Sequence, residues 1–271
     1  MSDPGRRAVL APPAVAPTVY DGDYYTRWCA GHDDWVQSSG AVADALYAGS
    51  LDRARLRPGE VLVDIGTGRG EALAVAVARG AAAAVGVEYS PSALGLARRT
   101  LQAAGVEGRA VVVGADARRL PLPDAVADLV TMLDVVEHLT PDELHHTLIE
   151  ARRVLRPGGR VFAHTLPTRT VYQVTYRWQR LLVPGRRRRW PADPRVELER
   201  VMHVNEQTRR KLRRALLAAG FASVRVERGA WVHDSFVPDE RARRLYHRLA
   251  AHRLTAPLGV ADLWAEGRVR G

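Results

Sequence analysis

The chain has 271 residues, 46% of them hydrophobic and 26% charged, proportions that suit a globular fold and argue against disorder. At this length folding hides about 75% of the surface that the unfolded chain exposes, so neither a disulfide nor a structural metal is required. The single cysteine, Cys29, excludes an internal disulfide and any multi-cysteine zinc site, and it fits a reducing cytoplasm. No uninterrupted apolar run approaches the roughly 20 residues needed to span a bilayer; the longest candidate, 72–87, contains Arg79 and Gly80.

The net charge is +10, which taken whole points to nucleic acid or an anionic surface. Lys211 is the sole lysine, so 39 of the 40 basic residues are arginine, and with so much alanine this also fits the codon bias of a GC-rich genome. The excess is local. Residues 151–192 hold 11 arginines and no Asp or Glu, while the remainder carries 29 basic and 30 acidic groups, net −1.

Residues 1–19 place Arg6 and Arg7 before a Pro/Ala stretch broken by Pro12 and Pro13, and read as a disordered tail rather than a signal peptide. A helical segment, 20–56, follows. From 57 to 167 short β-branched runs alternate with Ala/Arg-rich helical stretches. Strands are expected at 61–65, 83–88, 110–113, 128–133 and 160–165. Helices are expected at 71–79, from Ser90-Pro91 to 104, and from the capping box Thr140-Pro141-Asp142-Glu143 to 155. Such repeats give a parallel sheet covered on both faces. The rhythm breaks over 168–202, a basic aromatic segment placed as a cap. Over 203–271 a helix at 205–219, antiparallel strands at 221–227 and 231–236, and an amphipathic helix starting near Pro238 complete the fold.

The most informative segment is Val61-Leu-Val-Asp64-Ile-Gly66-Thr67-Gly68-Arg-Gly70-Glu71: a strand ending in an acid, then alternating glycines, then a helix. Glycine is needed where backbone takes positive φ or closes on a ligand. A dinucleotide fingerprint would put its third glycine where Glu71 stands, which disfavours an NAD-dependent dehydrogenase.

The Asp-x-Gly-x-Gly-x-Gly form resembles the first motif of class I S-adenosylmethionine-dependent methyltransferases of the small-molecule type. Other pieces are similar in order and distance: Glu88 ending the second strand, Gly114-Ala-Asp116-Ala117 ending the third, and Asp128 to Leu139 at the fourth. Val154-Leu-Arg-Pro-Gly-Gly159 precedes the fifth, and Leu212, Leu216, Gly220 and Phe221 echo the family's C-terminal pattern. The resemblance covers about residues 57–167. It implies a Rossmann-like, doubly wound, mainly parallel seven-stranded α/β sheet, with the N-terminal segment as a lid and the cap inserted after strand five.

It further implies S-adenosyl-L-methionine as cofactor, held by Asp64, Gly66, Thr67, Gly68, Glu88, Tyr89, Asp116, Ala117 and Leu133. Asp64 would meet the cofactor's ammonium, Glu88 both ribose hydroxyls and Asp116 the adenine amino group. For the acceptor, His138 and His203 are the candidate proton acceptors. Tyr25, Trp28, Tyr172 and Tyr176 are the candidate aromatic walls, and Arg169, Arg177 and Arg180 the candidate anion contacts. The absence of an Asn/Asp-Pro-Pro-Tyr segment and of a Pro-Cys motif disfavours nucleic-acid bases as acceptor. The expectation is therefore a cytoplasmic enzyme methylating O, N or C of a small anionic metabolite of specialised or envelope-precursor metabolism. No dedicated metal site is expected, although a prenyl diphosphate acceptor would bring Mg²⁺. An RNA methyltransferase using the arginine window and a non-catalytic cofactor-binding protein are the rival readings.

Overall fold

The computed structural model describes residues 10–29, 31–43, 45–182, 185–232, 237 and 239–271. Two short helices, α1 (His32–Ser38) and α2 (Ala45–Arg53), precede the sheet. Then β1 (Val61–Ile65), α3 (Glu71–Ala78), β2 (Ala83–Glu88), α4 (Pro91–Ala103) and β3 (Ala110–Gly114) alternate, followed by β4 (Ala127–Leu133), α5 (Pro141–Val154) and β5 (Leu155–Thr165). The segment after β5 folds into a π-helical turn (Val171–Tyr176), α6 (Arg177–Leu182), α7 (Arg186–Arg189) and α8 (Glu197–Met202). The chain closes with α9 (Arg209–Ala218), β6 (Ala222–Arg228), α10 (Glu240–Ala251), α11 (Ala256–Gly259) and β7 (Leu263–Arg268).

The seven strands lie in the order β3-β2-β1-β4-β5-β7-β6. The first five pair in parallel, and β7 runs antiparallel to both β5 and β6. Successive residues of β1 feed opposite cores. Val63 and Ile65 join Val130, Leu144 and Leu148 on one face, while Leu62 joins Leu73, Val77 and Leu129 on the other. Both faces are thus apolar, as a covered parallel sheet requires. The chain runs outward from β1 through β2 to β3 and then returns to β4. This reversal opens a crevice at the carboxyl ends of β1 and β4, where ligands bind in such sheets.

The caps form where the sequence places them. Ser90 Oγ accepts from Ala93 N–H at 3.2 Å with Pro91 opening α4, and Thr140 and Glu143 make a reciprocal capping box on α5. The C-terminal expectations need correction. Helix α9 starts at Arg209 rather than 205, because Thr208 caps it and Asn205, Glu206 and Gln207 are buried in the preceding turn. The strand expected at 231–236 is not formed at Trp231 and Val232, and 233–236 lie outside the described residues. The seventh strand is β7, whose alternation of buried Leu263, Ala265 and Gly267 with half-buried neighbours is a period-2 pattern. The amphipathic helix is α10, capped by Asp239; Pro238 lies outside the described residues.

Residues 10–19 are not a loose tail. Val15 is buried with Tyr20, Tyr25, Trp35 and Leu96. Ala14 N–H donates to Glu143 Oε1 at 2.8 Å, and Arg118 donates to Ala11 O at 2.7 Å. Residues 1–9 lie outside the described part.

Candidate active site

A cavity of about 820 Å³ occupies the crevice at the carboxyl ends of β1, β2, β4 and β5. Its floor is the turn after β1. Gly66 (φ +70°) and Gly68 (φ +54°) take left-handed backbone, and a Cβ on Gly66 would sit 2.5 Å from Val135 Cγ2. Gly66 N–H donates to Val87 O at 2.7 Å, which fastens the turn to β2. Tyr25, carried by a π-helical turn (Tyr24–Trp28), lies over Gly68, its ring 3.4 Å from where a Cβ would be.

Arg69 secures that lid. Its guanidinium is wholly buried, pairs with Glu71 at 2.7 Å and donates to Tyr25 O at 2.7 Å. A buried pair of this kind costs desolvation, and its worth lies in fixing one arrangement of turn and lid.

Glu88 ties the β1 and β2 turns together. One oxygen accepts from Tyr89 and Ser90 N–H, both at 2.8 Å, and the other from Gly68 N–H at 3.0 Å. Three of a carboxylate's roughly four lone-pair sites are thus taken by backbone, leaving one for a ligand hydroxyl rather than the two expected. Burial raises the Glu88 pKa, against these three hydrogen bonds. Asp64 accepts from Thr131 Oγ1 at 2.6 Å, and burial raises its pKa to about 6. Asp116 is held by the Arg118 guanidinium at 2.6 Å, which keeps its carboxyl below the usual range despite partial burial.

The far side of the cavity carries the titratable groups. His138, on a 3-10 turn (Val136–His138), places Nδ1 3.2 Å from Met202 O, and its ring meets His203 edge-on with centroids 5.0 Å apart. Desolvation lowers the His138 pKa to about 4, so its imidazole is neutral at physiological pH. Glu137 is buried, accepts from Thr165 Oγ1 at 2.7 Å, and is pushed up to about 8 by burial and then by the charge of Asp134. Asp134 holds a left-handed φ of +57° immediately after β4 and lies 2.6 Å from His164 Nδ1. Asp262 lies 3.4 Å from the other ring nitrogen, and Trp264 packs on the His164 ring.

All nine residues expected to hold the cofactor line this cavity, together with His138, His203, Tyr25 and Trp28. Five expected acceptor contacts do not. Tyr172 and Tyr176 are buried, with Tyr176 stacked on Trp190 and donating to Pro191 O. Arg169 bonds Gln173, Arg180 donates to Trp190 O, and Arg177 is exposed. The residues not anticipated are Arg69, Arg118, Asp134, Glu137, His164, Asp262 and Trp264. Asp134 and Glu137 stand in the quoted fourth-strand segment, but nothing local marks Asp262 or Trp264.

Residues 63–163 match the family model of the methyltransferase domain. The 27-O-demethylrifamycin SV methyltransferase of Amycolatopsis mediterranei is 35% identical over 136 residues, 48% of each chain. The demethylmenaquinone methyltransferase of Thermus thermophilus is 34% identical over 138 residues, 49% of this chain and 61% of its own. The chain therefore spans about half the length of the curated relatives it matches. A solved S-adenosylmethionine-dependent methyltransferase from Archaeoglobus fulgidus shares the fold, with a TM-score of 0.55, 20% identity, and 88% of this chain and 99% of that one covered.

Residues 63–163 thus carry a methyltransferase domain, set in a fold shared with solved S-adenosylmethionine-dependent methyltransferases. The cradle fits the S-adenosylmethionine that the methyltransferase-domain match implies. A Cβ at Gly66 would fill the turn, Asp64 offers a carboxylate to an ammonium, and Glu88 retains one acceptor site for a ribose hydroxyl. Mg²⁺ is not supported. Among the described residues, the group able to hold a metal is Glu137, His138 and His203, with ligand atoms within 4.8 Å of one another. Two imidazoles suit a late transition metal, whereas Mg²⁺ takes oxygen ligands. No helix among the described residues is long and apolar enough to cross a membrane.

Proposed function

We propose that this chain transfers the methyl group of S-adenosylmethionine to a hydroxyl, or to a carbon activated by a neighbouring hydroxyl, on a small neutral acceptor with a flat apolar body. The observation that supports this reading is continuity. One cavity joins the Gly68–Glu88 cradle to His138 and His203, and its remaining lining includes Tyr20, Tyr24, Trp28, Trp231 and Trp264. When bound, the cofactor supplies a methyl already activated on a sulfonium, so the protein's part is alignment, exclusion of water and handling of one proton.

His138 suits the last task. Its Nδ1–H donating to Met202 O fixes the tautomer that leaves Nε2 as acceptor, and its lowered pKa keeps that nitrogen unprotonated at neutral pH. The edge-on His203 ring steadies it.

An anionic acceptor, expected from the arginine window, is disfavoured by the lining. Asp64, Glu88, Asp134, Glu137 and Glu199 face the cavity, while its arginines, Arg69 and Arg118, are ion-paired. The same argument disfavours a prenyl diphosphate. The relatives' names, a rifamycin O-methyltransferase and a demethylmenaquinone methyltransferase, fit a hydroxylated aromatic or quinol body.

The test is methyl-labelled cofactor offered with neutral phenols and hydroquinones beside their phosphorylated counterparts, with products read by mass spectrometry. Label should reach the neutral set. His138→Asn should lower kcat on the order of a hundredfold with cofactor affinity within about twofold. Transfer only to phosphorylated acceptors would sink the neutral-acceptor reading. Cofactor binding with no transfer to any acceptor would favour a non-catalytic binding protein.

A further inference from the structure

The arginine excess of residues 151–192 does not serve the cavity. Arg153, Arg156 and Arg160 are ion-paired with Asp124, Asp128 and Glu60, and Arg186 pairs with Asp239 while lying over the Trp190 ring. Arg177, Arg187, Arg188 and Arg189 instead face solvent.

The helical stretch 171–182 that presents Arg177 has two apolar faces where a surface helix has one. Val171, Tyr172, Thr175, Tyr176 and Gln179 are buried, Val171 and Tyr176 in a cluster with Ala242 and Tyr246 of α10. On the opposite side Val174, Trp178, Leu181 and Leu182 are 38%, 58%, 58% and 69% exposed. Their spacing of i, i+4, i+7 and i+8 makes them neighbours in one stripe. An exposed aromatic-aliphatic stripe of this kind marks an interaction site.

We infer that this face docks on an anionic lipid bilayer. The argument is charge complementarity joined to apolar reach. Attraction to anionic headgroups rests on the exposed Arg177, Arg187, Arg188 and Arg189, since Arg153, Arg156, Arg160 and Arg186 are already paired with acids from outside the window. The Trp178 indole suits the headgroup level, and Val174, Leu181 and Leu182 supply side chains for the acyl boundary. The two features act together, since stable membrane anchoring takes an apolar and a basic signal where one alone binds only marginally. An RNA backbone would use the arginines but leave two exposed leucines and a valine without a partner. This inference stands apart from the identity of the methyl acceptor.

The experiment is co-sedimentation of the full chain with vesicles of phosphatidylcholine alone or mixed with phosphatidylglycerol. Binding should require phosphatidylglycerol and weaken as salt rises. Replacing the three exposed arginines of α7 (Arg187→Ser, Arg188→Ser, Arg189→Ser) should weaken it roughly a hundredfold. The pair Trp178→Ser and Leu182→Ser should weaken it about tenfold or more. Melting temperatures of both variants should match the parent, because every altered side chain is exposed. Failure to bind the mixed vesicles overturns the proposal, as does binding unchanged in the Trp178/Leu182 variant. Salt-sensitive capture of a single-stranded RNA, without vesicle binding, would reassign the arginines to nucleic acid.

Discussion

The turn after β1 and the segment after β5 both stood out in the sequence, one by its glycines and the other by its arginines, yet they relate to the cavity in opposite ways. Gly66, Gly68, Glu88 and Asp116 all line it, whereas Arg169, Tyr172, Tyr176, Arg177 and Arg180 do not. The difference lies in what each residue type constrains. A glycine at φ +70°, with Val135 where a Cβ would stand, reports a backbone requirement settled within a few residues. An arginine or tyrosine can turn either way from a helix, so its destination depends on which face the tertiary structure covers. Tyr176 went inward to stack on Trp190, and Arg177 went outward.

The sharpest way to break this contrast is at the turn. Gly66→Val should abolish cofactor binding in calorimetry, a loss of more than about a hundredfold, since side chain and left-handed backbone both clash there. Gly68→Ala, strained by its φ of +54° but with only the Tyr25 ring near its Cβ, at 3.4 Å, should fold with a melting temperature lowered by a few degrees and bind on the order of tenfold more weakly. Unchanged affinity in both would detach the glycine turn from the cofactor.

Most of the sheet was legible because strands β1 to β5 each contain a short apolar run set off by turn and capping residues, such as Gly66 after β1 and Ser90-Pro91 after β2. Strand β7 was not, because its Leu263, Ala265 and Gly267 alternation is short and carries no β-branched residue to mark it as a strand. The cost of missing it falls on the site. Asp262, one residue before β7, and Trp264 within it complete the surroundings of His164, which β5 delivers from a hundred residues earlier in the chain. A charge cluster assembled from β4, β5 and β7 has no local spacing to read.

That cluster makes a second comparison testable, since its charge balance is set by tertiary structure alone. Burial opposes charging of His164, but Asp134 and Asp262 outweigh it and lift its pKa from 6.5 to about 10. A folded-state pKa raised above the unfolded one contributes stability that is complete below about 6.5 and lost as pH rises through 10. Glu137, raised to about 8, acts with the same sign from about 4.5 upward, because the unfolded chain ionises it first. The melting temperature should therefore fall between pH 6.5 and 10, and His164→Gln should flatten that decline while lowering the value at pH 6.5. An equal slope in parent and variant would mean that His164 is not charged in the folded protein.

The smallest expected effect is the one that bears most directly on the cap. If Arg177 and Arg180 were acceptor contacts, their joint replacement by serine would raise the acceptor KM by tenfold or more, as losing charged hydrogen bonds does. The structure instead points Arg177 to solvent and engages Arg180 with Trp190 O at 3.0 Å and Arg187 O at 3.1 Å. Both KM values should then stay within about twofold, with a modest drop in melting temperature from the lost Arg180 bonds. A selective rise in acceptor KM would show that α6 closes over the cavity during turnover. The arginine window would then belong to the acceptor after all, and the division between an acid-lined cavity and a basic outer face would fail.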